Sequence, residues 1–114
     1  NWDNDYVYFR YADVLLMKAE ALLRTNGAGA LTIVNNLRAN RGATALGSLT
    51  MDNLIDERGR ELYLESWRRQ DLIRFGKYLQ AYQEKPASEP KSLLFPIPNG
   101  QLAANPNLSQ NPGY

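Results

Sequence analysis

Arg10-Tyr11-Ala12-Asp13-Val14-Leu15-Leu16-Met17-Lys18-Ala19-Glu20-Ala21-Leu22-Leu23-Arg24 reads as one amphipathic helix. Tyr8, Ala12, Leu15, Ala19 and Leu22 recur at spacings of three and four, the period of a helix face. Leu16 and Leu23 widen that stripe, while Asp13, Glu20 and Arg24 fall off it. The helix is expected to start near Val7 or Tyr8 and to end near Thr25, with Asn26-Gly27 as a left-handed stop. All six prolines, at positions 86, 90, 96, 98, 106 and 112, lie beyond residue 85, so none interrupts a helix before that point. The chain thus reads as a helical body, residues 1–85, followed by a Pro/Asn-rich tail, residues 86–114. The fold class is all-α.

Three more helical runs follow. The second covers residues 28–41, with Ala30, Val34 and Leu37 as its stripe, Ile33 beside it and Gly42 as its stop. A short turn between two helices of similar length predicts antiparallel packing. The third opens at Thr50, an N-cap by its hydroxyl alone because Asn53 stands where a capping box wants Glu or Gln. It continues to about Glu65, with Leu54, Ile55 and Leu62 on its apolar side. Gly59 in its middle costs about 1 kcal/mol relative to Ala and suggests a close helix crossing. The fourth covers residues 68–83, with Leu72, Phe75, Leu79 and Tyr82 on one face and Gly76 as a bend. Continuity of the third and fourth through Ser66-Trp67 is left open. The expected core is Leu15, Leu16, Ala19, Leu22, Val34, Leu37, Leu62 and Leu72. In the tail, Asn99-Gly100 reads as a turn, Gln101 to Ala104 as one helical turn, and Phe95 and Ile97 are expected to pack on the helices.

Composition excludes several functions. The chain has 114 residues, 44% hydrophobic, with 13 Lys+Arg against 12 Asp+Glu. A net charge of +1 argues against a nucleic-acid-binding module. With no Cys and no His, thiol catalysis, His-based triads and the common zinc sites are ruled out. No stretch approaches 18 consecutive apolar residues, the length of a membrane span. No nucleotide-binding glycine motif, nucleophile elbow or calcium loop is present. No catalytic, metal or cofactor residue is assigned, and the ligand-binding residues stay unassigned. The opening Asn1-Trp2-Asp3-Asn4-Asp5 reads as the start of a piece of a longer chain.

Glu57, Glu61 and Glu65, spaced i, i+4, i+8, line one helix face. Such acids suit an acid/base pair or a metal half-site. Three in a row also repel unless cations compensate, and Arg10, Arg38, Arg58, Arg60, Arg68, Arg69 and Arg74 are candidates to do so. An ion-pair lattice between helices is the preferred reading. Arg10 and Asp13, three apart, read as a local or inter-helix ion pair. Arg68, Arg69 and Arg74 resemble an anion site, but Asp71 sits among them. Trp2, Tyr6, Tyr8 and Tyr11 at the start, and Tyr78 and Tyr82 later, are either sugar-stacking platforms or amphipathic packing.

Four stretches together resemble the C-terminal part of the SusD/RagB family. They are Arg10 to Leu16 with Ala19-Glu20-Ala21; Ala30-Leu31 with Val34 to Ala39; Ile55 to Leu62 with Glu65, Arg68, Asp71 to Arg74 and Gly76-Lys77; and Leu94-Phe95-Pro96-Ile97-Pro98 with Asn105-Pro106 and the closing Gln110-Asn111-Pro112-Gly113-Tyr114. Ser66, Asn40 and Gln70 depart from the family pattern. The resemblance implies helix pairs like tetratricopeptide repeats and no catalysis. It implies a surface-exposed outer-membrane lipoprotein, anchored through an upstream Cys, that binds a glycan or other nutrient. Its implied partner is a SusC-like TonB-dependent transporter. Two alternatives stay open: a helical-repeat scaffold for a protein partner, and a glycoside hydrolase using Glu57 or Glu61. An excised piece would also leave an exposed apolar patch and tend to self-associate.

Overall fold

The structure, a computed structural model, describes Asp3 and residues 5–114. Among them it contains five α-helices, one 3₁₀ turn (Pro90–Leu93) and a single isolated bridge, Tyr82 to Lys85, with no sheet. The helices are α1 (Tyr11–Arg24), α2 (Ala30–Asn40), α3 (Met51–Glu61), α4 (Arg68–Arg74) and α5 (Asn99–Ala104). The chain forms two compact units, Asn1–Asp71 and Leu72–Tyr114, divided within α4.

In the first unit α1 packs mainly on α2 and also on α3. The five residues between α1 and α2 make an antiparallel pair, as expected. The core is Ala12, Leu16, Ala19, Ala30, Val34, Leu37, Leu54, Ile55 and Leu62. Leu15 and Leu22, expected inside, are half-buried. The buried face of α1 is turned by about one residue, because it also carries Asp13 and Glu20, which periodicity placed off the stripe. Both carboxylates meet arginines, which is the condition for burying a charge.

α1 starts at Tyr11, later than expected. Residues 5–10 lie outside any helix, and Arg10 enters α1 in an extended conformation, with φ −136° and ψ 160°. Its side chain is committed elsewhere and gives no cap. Tyr8 therefore lies outside the helix and is exposed. At the other end Asn26 adopts φ 57° and the Gly27 N–H bonds Leu22 O at 2.7 Å, the left-handed stop expected there. Gly42 at φ 69° ends α2 in the same way.

α3 corrects the capping expectation. Thr50 Oγ1 accepts from the Asn53 N–H at 3.1 Å, and Asn53 Oδ1 accepts from the Thr50 N–H at 3.2 Å. Asn is long enough to close the reciprocal box that Glu or Gln usually closes. α3 stops at Glu61, short of Glu65. Leu64 and Ser66 follow in left-handed conformations, at φ 62° and 67°, so α3 and α4 are separate helices. Gly59 marks a close approach, although a side chain makes it. A Cβ there would lie 2.7 Å from Arg68 Nη1, and that guanidinium donates to Ile55 O at 2.9 Å.

α4 ends at Arg74, nine residues before the expected Gln83. Gly76 at φ 71° ends it, and the Lys77 N–H closes on Leu72 O at 2.7 Å. The single stripe expected there is broken: Leu72, Phe75 and Leu79 are half-buried and Tyr82 is exposed. Leu72 is thus not core.

The second unit has no fully buried apolar side chain among the described residues, and side-chain amides organise it. Gln110 Oε1 accepts from the Ile97 N–H at 2.8 Å and Gln110 Nε2 donates to Ile97 O at 2.9 Å. Asn111 Nδ2 donates to Phe95 O at 2.7 Å, and the Tyr114 hydroxyl donates to Leu94 O at 3.0 Å. The closing Gln-Asn-Pro-Gly-Tyr stretch thus binds the backbone of Leu94 to Ile97. Phe95, expected inside, is 70% exposed, and Ile97 is half-buried. The prolines remove backbone donors here, so amide side chains serve the remaining groups. Asn99-Gly100 opens α5 and is not a separate turn.

Candidate functional site

Position 58 lies four residues after Leu54 and four before Leu62, so helix geometry places its side chain inside. The residue there is Arg58, 2% exposed. Its Nε donates to Asp71 Oδ2 at 2.8 Å, and its Nη2 lies 2.9 Å from Asp13 Oδ1. The Asp71 contact is an aligned hydrogen bond, whereas Asp13 acts through charge, since its oxygens take no hydrogen bond among the described residues. This buried group ties α1, α3 and the start of α4 together. Asp71, which sequence places among Arg68, Arg69 and Arg74, belongs to this buried group.

The three glutamates are paired with arginines, as the repulsion argument requires. Glu57 Oε2 meets Arg38 Nη1 at 2.6 Å and Arg60 Nη2 at 2.7 Å. Glu61 Oε1 meets Arg10 Nη1 at 2.7 Å and Arg41 Nη2 at 2.8 Å. Glu65 Oε2 meets Arg10 Nε at 2.7 Å. Arg10 also donates to the Glu61 backbone carbonyl near the C-terminus of α3, where the helix dipole favours a cation. Arg10 and Asp13 do not pair with each other; each reaches α3 or the loop after it. Bonding to Glu65, and then to Glu61, raises the Arg10 pKa. Arg41 holds the Glu61 carboxyl below its ordinary range, with Arg10 adding to the effect. A general acid needs the opposite shift, so Glu61 is poorly suited to protonate a leaving group.

Two depressions flank this lattice. The larger, about 760 Å³, is lined by Arg10, Arg38, Arg41, Ala43, Leu46, Glu57, Arg60 and Glu61. The smaller, about 120 Å³, is lined by Tyr6, Tyr8, Glu65, Ser66 and Trp67. The Arg10–Glu65 ion pair joins the wall of one to the wall of the other. Around the smaller cleft the rings form a ladder: Tyr6–Tyr8 at 6.0 Å, Tyr8–Phe9 at 5.5 Å and Phe9–Trp67 at 5.5 Å between centroids. Three of the rings come from the non-helical run Tyr6 to Phe9, and the Tyr6 hydroxyl donates to Glu65 O at 3.2 Å. Tyr6, Tyr8 and Phe9 each keep more than half their surface exposed. Sequence reading grouped Tyr6 and Tyr8 but not Phe9 and Trp67, whose spacing of 58 carries no local signal. Trp2 of that grouping lies outside the described residues. Tyr11, on α1, takes no part in the ladder.

Among the described residues no group of acids is placed to hold a metal ion. Among them, too, no helix is long and apolar enough to cross a membrane.

Residues 1–89 match the family model described as the SusD family. The starch-binding protein SusD of Bacteroides thetaiotaomicron is 39% identical over 98% of this chain and 22% of its own length. SusD-like protein P38 of Formosa agariphila is 31% identical over 98% of this chain and 25% of its own. The surface glycan-binding protein A from Bacteroides uniformis superposes with a TM-score of 0.83 at 32% identity, over 97% of this chain and 28% of that one. The chain spans about a quarter of the length of the curated relatives it matches.

Proposed function

Because the chain belongs to the SusD family, we propose that it is part of a non-catalytic glycan-binding protein serving outer-membrane nutrient uptake. That protein is held at the cell surface by a lipid anchor and hands its ligand to a SusC-like TonB-dependent transporter. Residues 1–114 act as one C-terminal segment of it, with an N-terminal helical body and a tail fastened by its own amides.

The aromatic ladder beside the ion-pair lattice carries the binding reading. Exposed Tyr rings leading to a half-buried Trp, with adjacent carboxylate and hydroxyl groups, suit sugar rings, which present one apolar face and many hydroxyls. The names of the similar proteins, one starch-binding and one glycan-binding, support the ligand class. Glu57 and Glu61, the acids a hydrolase would use, are each held by two arginines. One observation favours a protein partner as a second ligand: Tyr11, Val14 and Met17 are exposed along α1.

A glycan array probed with the protein, together with its recovery from detergent-solubilised outer membranes, tests the proposal. Glycan retention and co-purification of a TonB-dependent barrel support it. Retention of peptides alone corrects the ligand, and absence of any barrel removes the transporter.

A further inference from the structure

We infer that the arginine groove and the aromatic cleft together select an anionic oligosaccharide, one whose sugars carry carboxylate or sulfate groups. This rests on the glycan-binding reading and narrows it to a substrate class.

Charge is the first argument. Arg10, Arg38, Arg41 and Arg60 line the groove, and the carboxylates they meet are Glu57, Glu61 and Glu65. Four cations against three anions leave one positive charge over. The surplus sits at the rim, where the Arg41 and Arg60 side chains are 56% and 58% exposed. Arg60 uses only Nη2, towards Glu57, and Arg41 uses Nε and Nη2, towards Glu61. Arg60 Nε and Nη1 and Arg41 Nη1 make no hydrogen bond among the described residues. An oxyanion at the rim can accept from these groups without breaking an existing pair. Planar guanidinium donors match carboxylate and sulfate oxygens better than they match a neutral hydroxyl.

Size and position supply the second argument. A groove of about 760 Å³ falls within the range of small-molecule sites, roughly 300–1,000 Å³. It has no aromatic lining, so alone it is a poor sugar site. The cleft lined by Tyr6, Tyr8 and Trp67 supplies that lining across the Arg10–Glu65 pair. At about 120 Å³ the cleft falls well below the range of small-molecule sites, roughly 300–1,000 Å³, and has room for the edge of a ring and not for a chain. A sugar held on the rings with its acid group towards the arginines uses both depressions at once. An acidic protein segment would use the groove and leave the ladder idle, so the glycan is favoured.

The test is calorimetry on the protein with tetragalacturonic acid, its full methyl ester, a sulfated carrageenan tetrasaccharide and neutral agarotetraose. The acid, the sulfated sugar or both should bind about tenfold tighter than the neutral counterpart, and the stronger of the two identifies the oxyanion. Arg41→Ala and Arg60→Ala should each remove most of that preference, with circular dichroism confirming the fold. Tyr8→Ala should weaken charged and neutral sugars alike. No preference for either charged sugar over its neutral counterpart, or a preference untouched by both arginine variants, would overturn the inference while leaving glycan binding intact. A poly-glutamate peptide binding more tightly than either charged sugar would overturn it in favour of a protein ligand. No binding to any sugar would overturn both the inference and the reading it rests on.

Discussion

Arg58 donates its Nε–H to Asp71 Oδ2 at 2.8 Å, and both side chains are 2% exposed. A cation on the apolar face of α3 is thus the pin between that helix and α4, with Asp13 of α1 on its other side at 2.9 Å. Removing one partner of a buried pair leaves an uncompensated charge. Arg58→Met should therefore cost about 3–5 kcal/mol, although Met fills similar space. Urea unfolding followed by circular dichroism measures it; a loss below about 1 kcal/mol would mean the group contributes little.

Glu61 gives the pH dependence. Its carboxyl is held below its ordinary value, chiefly by the hydrogen bond from Arg41 and further by Arg10. A depressed folded-state pKa contributes stability above the unfolded value, and this is lost as pH falls through the folded one. Stability should be flat from pH 7 to about 5 and fall below about 4.5, near the unfolded carboxylate value. In Glu61→Gln the acid-side slope should be shallower; an unchanged slope would show that Glu61 does not contribute.

At Gly59 two effects oppose each other. Alanine gains about 1 kcal/mol of helix propensity. Its Cβ would also displace the Arg68 guanidinium, 2.7 Å away, from Ile55 O. A bond from a charged group to a part-buried carbonyl is worth about 1.5–3 kcal/mol, reduced here because Arg68 is largely exposed. Gly59→Ala should be near neutral in the native background and stabilising by about 1 kcal/mol in Arg68→Ala. Equal effects in both backgrounds would rule out the coupling.

In the second unit Gln110 is the test. Gln110→Ala removes both bonds to Ile97, one of which protects the Ile97 N–H. Amide exchange at Ile97 should accelerate about tenfold or more, with little change in the first unit's helices. Uniform acceleration across the chain would mean that the fastening is not local.

Periodicity identified α1, α2 and α3 and most of the core, because Ala12, Leu16, Ala19, Val34, Leu37 and Leu62 share helical faces. It missed where charge overrides hydrophobicity. Asp13 and Glu20 are buried on α1 because arginines meet them. Arg58 was detectable in principle, as the one cation between Leu54 and Leu62 on the apolar face. The end of α4 was misplaced because Gly76 was read as a bend, while its φ of 71° closes the helix. That Glu57, Glu61 and Glu65 each meet an arginine was legible from spacing and repulsion; Arg41 as a partner of Glu61 was not. The aromatic ladder was not, since Phe9 meets Trp67 only once the chain between them has folded. The exposure of Phe95 was not legible, because side-chain amides fasten its own carbonyl, from Asn111, and that of Ile97, from Gln110, without burying its ring.

Under the proposed function the protein holds a glycan without cutting it. Equilibrium dialysis of the protein against oligosaccharides of defined length, followed by mass spectrometry of everything recovered, tests this most directly. Saturable retention of at least one oligosaccharide is expected, with the sugar recovered at its original length after prolonged incubation. Shortened products that disappear in Glu57→Gln or Glu61→Gln, or no retention of any sugar, would contradict it.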